Sequence, residues 1–89
     1  MDKKELYKKA WAKWGHLQYI MMIEEPSELI KTVTKYLRSE TFENRVRIAE
    51  EISDVEIMCE QFKVVHPEMA KIVEKHKKEK LERLERNLR

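Results

Sequence analysis

The sequence predicts an all-α fold, a four-helix bundle-like domain expected to assemble as a homodimer or larger. Three observations lead there. The 89 residues include one Gly and two Pro, and 40% of them are charged, a composition of few turns and long solvated faces. Apolar residues recur at helical spacing, and no stretch alternates with a two-residue period for long enough to make a strand. A chain this short buries a limited fraction of its surface, and it carries acids on two would-be core faces. A second copy is therefore the expected source of extra core.

Each helix has its own punctuation. The first spans roughly 2–14 and stops at Gly15, the single glycine, a residue suited to the turn after a helix. The second covers about 16–38, up to the Ser39–Thr41 break. The third covers about 42–65. The fourth opens after His66 with Pro67 in its first turn, where the missing N–H costs little, and continues to about 88. No repeat and no low-complexity linker divides the chain, so 1–89 reads as one domain.

Composition also excludes. Hydrophobic residues make up 42%, too many for a disordered chain. A net charge of +2 is no argument for nucleic acid or a membrane surface. The charge is unevenly spread, because residues 71–89 hold eight basic residues against four acids and leave the first seventy net negative. Cys59 is alone on an apolar stripe and reads as a small buried core residue, so cysteine offers neither a disulfide framework nor a zinc site. The N-terminus lacks an apolar signal region, and no apolar run approaches about 18 residues. A cytoplasmic location is expected.

The unusual feature is where the acids fall. At about 100° per residue, Ile20, Met21, Glu24 and Glu28 lie within roughly 60° of Leu17, and Glu25 sits at about 80°. Acids thus extend the apolar stripe of the second helix. On the third helix, Ile48, Ile52, Val55, Met58, Cys59 and Phe62 share one arc. Glu51 falls inside that arc, Asp54 lies at its edge one turn along, and Glu50 points to water. The plain alternative is solvated glutamates in Glu28–Lys31 and Arg47–Glu51 pairs.

Burying several carboxylates together raises their pKa values unless a cation compensates. Two helices presenting such pairs to each other point to a metal cluster of hard oxygen donors. That donor set favours Mg²⁺, with Mn²⁺ the other candidate. Mg²⁺ held by a few carboxylates completes its shell with water and substrate phosphate, the chemistry of a nucleotide-cleaving site.

The blocks Glu24-Glu25-Pro26-Ser27-Glu28 and Glu51-Ile52-Ser53-Asp54 together resemble the EExxE…ExxD signature of the all-α nucleoside triphosphate pyrophosphohydrolases, the MazG-like group. Lys13–Gly15, Gln18 and Asp54–Phe62 extend the likeness over about residues 7–63. The resemblance implies Mg²⁺-dependent hydrolysis of a nucleoside triphosphate to the monophosphate and pyrophosphate, by a homodimer or homotetramer. It implies metal ligation by Glu25, Glu28, Glu51 and Asp54. Glu24 would orient or deprotonate the attacking water or join the metal shell. Pro26 departs from the pattern and is a place where the helix could bend and re-aim the ligands.

Other residues admit two readings. Trp11 and Trp14 could stack on a base with Gln18 reading its edge, or they could be core and interface. Lys31, Lys35, Lys77, Lys80 and Arg83 could hold phosphates or form solvated faces. His16, His66 and His76 have no partner at i+4 and read as packing or surface groups. Met21, Met22, Met58 and Met69 read as gap-filling core.

Competing functions stay open at this point. Hydrolysis of dUTP or dCTP, or of phosphoribosyl-ATP, would use similar acids. A helical interaction module would use Lys75–Arg89 as an amphipathic arm, with Leu81, Leu84 and Leu88 spaced for a partner helix. The acidic body and the lack of an aromatic-basic platform argue against nucleic acid.

Overall fold

The computed structural model describes residues 1–89 as four helices and no strand: α1 Lys3–Trp14, α2 Leu17–Arg38, α3 Phe42–Val65 and α4 Pro67–Asn87. Their ends follow from local chemistry. Asp2 caps α1 by accepting the Glu5 N–H at 2.8 Å, and Gly15 ends it with φ of 53°, a left-handed value that glycine adopts without strain. Thr41 caps α3 by accepting the Asn44 N–H at 3.1 Å, and the Asn44 amide donates to the Ser39 carbonyl at 2.8 Å. Both bonds tie the α2–α3 turn. Pro67 opens α4 at its first position. No helix is long and apolar enough to cross a membrane.

The antiparallel α2–α3 pair is the spine. Helix α1 lies against α3 and α2, whereas α4 contacts α3 alone. The radius of gyration is 15.9 Å, against about 12 Å for a compact chain of this length. One copy is therefore open. Only Tyr7, Gln18, Asn44, Met58 and Gln61 are buried.

The spine is built on a heptad spacing. Gln18, Met22, Glu25, Leu29, Thr32 and Tyr36 are among the sheltered positions of α2, and Asn44, Ile48, Glu51, Val55, Met58 and Phe62, with Gln61 beside them, are among those of α3. This corrects the expected orientation of α2. Leu17 and Ile20 are exposed at 55% and 47%, and Glu24 and Glu28 lie outside with them, while Glu25 turns inward. The sheltered side is shifted by about one residue from that expectation, and the Gln18–Gln61 hydrogen bond joins α2 to α3 on the shifted side. Cys59, expected in the core, is exposed, as is Ile52. Cys59 borders an open groove between α3, Met22 of α2 and Val73 of α4.

Pro26 does not interrupt α2, which is helical from Leu17 to Arg38. Its missing N–H removes the bond that the Met22 carbonyl would accept. The Ser27 hydroxyl donates to the Glu24 carbonyl at 2.6 Å in the same turn.

Candidate metal centre

Two polar layers interrupt the α2–α3 seam, one heptad apart on each helix. In the first, the Gln18 amide donates to Gln61 Oε1 at 2.7 Å, and the Gln61 amide reaches the Met58 sulfur at 3.7 Å. In the second, Glu25 of α2 meets Asp54 and Glu51 of α3, with one carboxylate oxygen of each within 4.8 Å of the others. Antiparallel pairing with constant register explains both. A stagger that sets Gln18 opposite Gln61 also sets Glu25 opposite Asp54.

The acidic layer is electrostatically unsatisfied. Glu25 and Glu51 are half-buried and Asp54 is exposed. The Glu25 carboxyl is raised above its ordinary value, first by burial, then by the charges of Asp54 and Glu51, a hydrogen bond with Asp54, and Glu24. None of the three has a lysine or arginine within ion-pair distance, and the Arg47–Glu51 pair that the sequence allows is not formed. Three oxygen donors converging from two helices, with no cation of the chain itself beside them, fit a hard divalent ion.

The remaining candidates divide. Glu28 stands one turn beyond Glu25, outside the three-carboxylate cluster, with its carboxylate 3.5 Å from the Lys31 ammonium. Glu24 faces the other way and lines a depression of about 400 Å³ with Trp14, Leu17, Gln18, Ile20 and Met21. The suggested base-binding residues Trp14 and Gln18 thus share one hollow that ends at the first acid of the block. Trp11 takes no part there, packing edge-on against Tyr19 and His66 at centroid distances of 5.0 and 5.8 Å. Lys35 is exposed, with no ion pair. Lys77 is 3.9 Å from Glu74 and lines a groove with Met22, Val55, Cys59 and Phe62. Lys80 and Arg83 are exposed on a part of α4 that α2 does not touch.

Sequence reasoning missed two side-chain pairs that join the helices. Besides Gln18–Gln61, the Tyr7 hydroxyl of α1 donates to Glu60 Oε2 at 2.8 Å, and Lys3 lies 3.5 Å from the same oxygen. The Tyr7 hydroxyl group is raised above its ordinary value by burial and by Glu60. The signal available was positional. Gln61 lies one turn beyond Met58 on the sheltered side of α3, where a glutamine needs a partner.

Comparison with protein-family models, curated proteins and solved structures gave no match.

Proposed function

We propose that the chain is a MazG-like, Mg²⁺-dependent nucleotide pyrophosphohydrolase that cleaves a nucleoside triphosphate to the monophosphate and pyrophosphate. The observation that carries this reading is the convergence of Glu25, Glu51 and Asp54 from facing helices, unpaired by any cation of the chain. The EExxE and ExxD spacing supports it independently.

Mg²⁺ (or Mn²⁺) bound there supplies neutralisation of the triphosphate and a more acidic water. Glu25, Glu51 and Asp54 would hold the ion, and Glu28, paired with Lys31 at 3.5 Å, would join them only on giving up that pair. Glu24, outward-facing at the end of the Trp14–Gln18 hollow, would have to turn toward the cluster to orient the attacking water and accept its proton, the role the resemblance gives it. Trp14 stacks on the base, while the Gln18 oxygen, left free by the bond to Gln61, reads a base edge. Lys31 and Lys35 follow the acids along α2 and face the phosphates, and Lys77, Lys80 and Arg83 of α4 reach them from a neighbouring copy. The enzyme works as a homodimer or homotetramer in the cytoplasm. Its support is the exposed apolar face formed by Trp14, Leu17, Ile20, Ile23 and Ile30.

A panel of nucleoside triphosphates assayed for pyrophosphate, with and without Mg²⁺, tests the proposal. Metal-dependent release from at least one nucleotide is expected, and the panel identifies the base. No release from any nucleotide, together with indifference to metal, would favour a helical interaction module, the reading to which the projecting end of α4 lends support.

A further inference from the structure

The last third of the chain leaves the body. Val73 is the final half-buried residue of α4, and every residue from Glu74 to Arg89 is exposed. About four turns of helix therefore extend past the packed part of α4, and of these only the start, at Glu74 and Lys77, borders grooves shared with the body. A free helix of that length is marginal in water. The arm nevertheless carries one apolar stripe, with Leu81, Leu84 and Leu88 exposed at 62%, 52% and 78%. Their three-then-four spacing makes them the a, d and a positions of a coiled coil, with Lys77 at the preceding d position.

We infer that this arm pairs antiparallel with the same arm of a second copy. The flanking charges select that occupant. In an antiparallel pair with Leu81 facing the second copy's Leu84, the e-position residues Lys78 and Glu85 come opposite each other twice, by symmetry. Lys80 meets the uncharged Asn87. Lys78 has no ion pair within its own chain, and Glu85 has only the exposed Arg89 at 3.3 Å. A parallel pair would bring Lys80 and Glu85 together, but it would also stack Lys77 on Lys77 and Glu74 on Glu74 in the seam. The antiparallel arrangement instead sets each Lys77 stem beside the second copy's Leu88 and leaves Glu74 beyond the overlap.

Length agrees as well. With Leu81 against Leu84, the end of one arm lies beside residue 76 of the other, just short of Val73, where α4 joins its body. The exposed segment is matched to itself and does not collide with the body. The seam is small, in the class of transient contacts, so association through it is expected on the order of 100 µM. No metal ligand and no residue of the Trp14–Gln18 hollow takes part, and a paired arm keeps Lys77 and Lys80 in or beside its own seam, so of the three α4 cations only Arg83 stays free to reach a neighbouring copy's phosphates.

The test is a charge-reversal cycle on the full chain, followed by sedimentation velocity across that concentration range. Far-UV circular dichroism checks that the helices persist. Glu85→Lys and Lys78→Glu should each weaken the arm-dependent association step by about tenfold, and the double variant should recover it. Leu84→Glu should abolish that step. The inference is overturned if Leu84→Glu leaves the concentration dependence unchanged, or if the double variant fails to recover association. Recovery by Lys80→Glu with Glu85→Lys in place of the Lys78 variant would overturn it too, because that pattern belongs to a parallel pair.

Discussion

The two polar layers of the α2–α3 seam have the same geometry and opposite chemistry. At Gln18–Gln61 a donor meets an acceptor, and the layer closes on itself at 2.7 Å. One heptad away, Glu25 meets Glu51 and Asp54, three acceptors with no donor among them when ionised. A fourth carboxylate shows that the chain can satisfy an acid when its structure requires it. Glu60 is lowered below its ordinary value, chiefly by the Tyr7 hydroxyl, with burial opposing and Lys3 and Lys63 assisting. The same residue type is thus pulled down where the protein supplies partners and pushed up where it does not. The unsatisfied layer is where a ligand from outside has something to contribute.

The largest expected effect tests whether that layer is chemical at all. Glu51→Gln should lower pyrophosphate release by at least ~100-fold, because removing a charged ligand of a catalytic ion costs several kcal/mol of transition-state stabilisation. Glu50→Gln, at the exposed neighbouring position, should change stability by less than ~0.5 kcal/mol and leave the rate nearly unchanged. Equal losses at the two positions would remove the distinction between the sheltered and exposed faces of α3.

Thermal melting with and without Mg²⁺ sharpens the contrast next. An ion that binds the folded acids should raise the melting temperature, by about 2.7 kcal/mol of stability at a hundredfold excess over its dissociation constant. Glu25→Gln should stabilise the metal-free protein by removing one of three repelling charges, and should largely erase the Mg²⁺ shift. A shift of wild-type size in that variant would place the ion elsewhere.

Helix number and boundaries were legible in the sequence because each depends on a local signal. Gly15, Thr41 and Pro67 act within one turn of where they stand. The acids were legible as a spacing. The rotation of α2 was not, and the reason is physical. Leu17 and Ile20 look like core, yet one copy has no surface against which to bury them, while Gln18, Asn44 and Gln61 look like surface and occupy the seam. Hydropathy ranks residues one at a time, whereas the Gln18–Gln61 bond is a property of two helices in register. For the same reason Glu25 emerged as the inward acid only once α3 was set beside α2.

Register itself can be probed through the closed layer. Gln61→Leu leaves the buried Gln18 amide without its acceptor, which should cost about 1–3 kcal/mol in urea unfolding. Replacing both glutamines by leucine should recover most of that loss, since two apolar groups of similar volume leave nothing unpaired. The double variant should also keep its Mg²⁺ shift if packing alone holds Glu25 opposite Asp54. Losing the shift without losing stability would mean that the glutamine bond is what aligns the acids.

The smallest effect concerns Glu60, the satisfied carboxylate, and its sign follows from the lowered pKa. A carboxyl lowered in the folded state contributes stability above its ordinary value of 4.5 and loses it as pH falls through the depressed value. Tyr7→Phe removes the main cause of that lowering. At neutral pH it should cost about 1 kcal/mol, the order of one hydrogen bond to a charged group after discounting for the solvent that reaches Glu60. The gap between wild type and Tyr7→Phe should narrow as the solution is acidified past 4.5, because protonated Glu60 gains less from the hydroxyl. Urea midpoints measured at neutral pH and in acid check both parts. Because Tyr7 and Glu60 join α1 to α3, away from Glu25, Mg²⁺-dependent pyrophosphate release should be unaffected by the substitution. A gap that widened in acid would reverse the assignment, making Glu60 a carboxyl that the fold tolerates and leaving no difference in kind between it and Glu25.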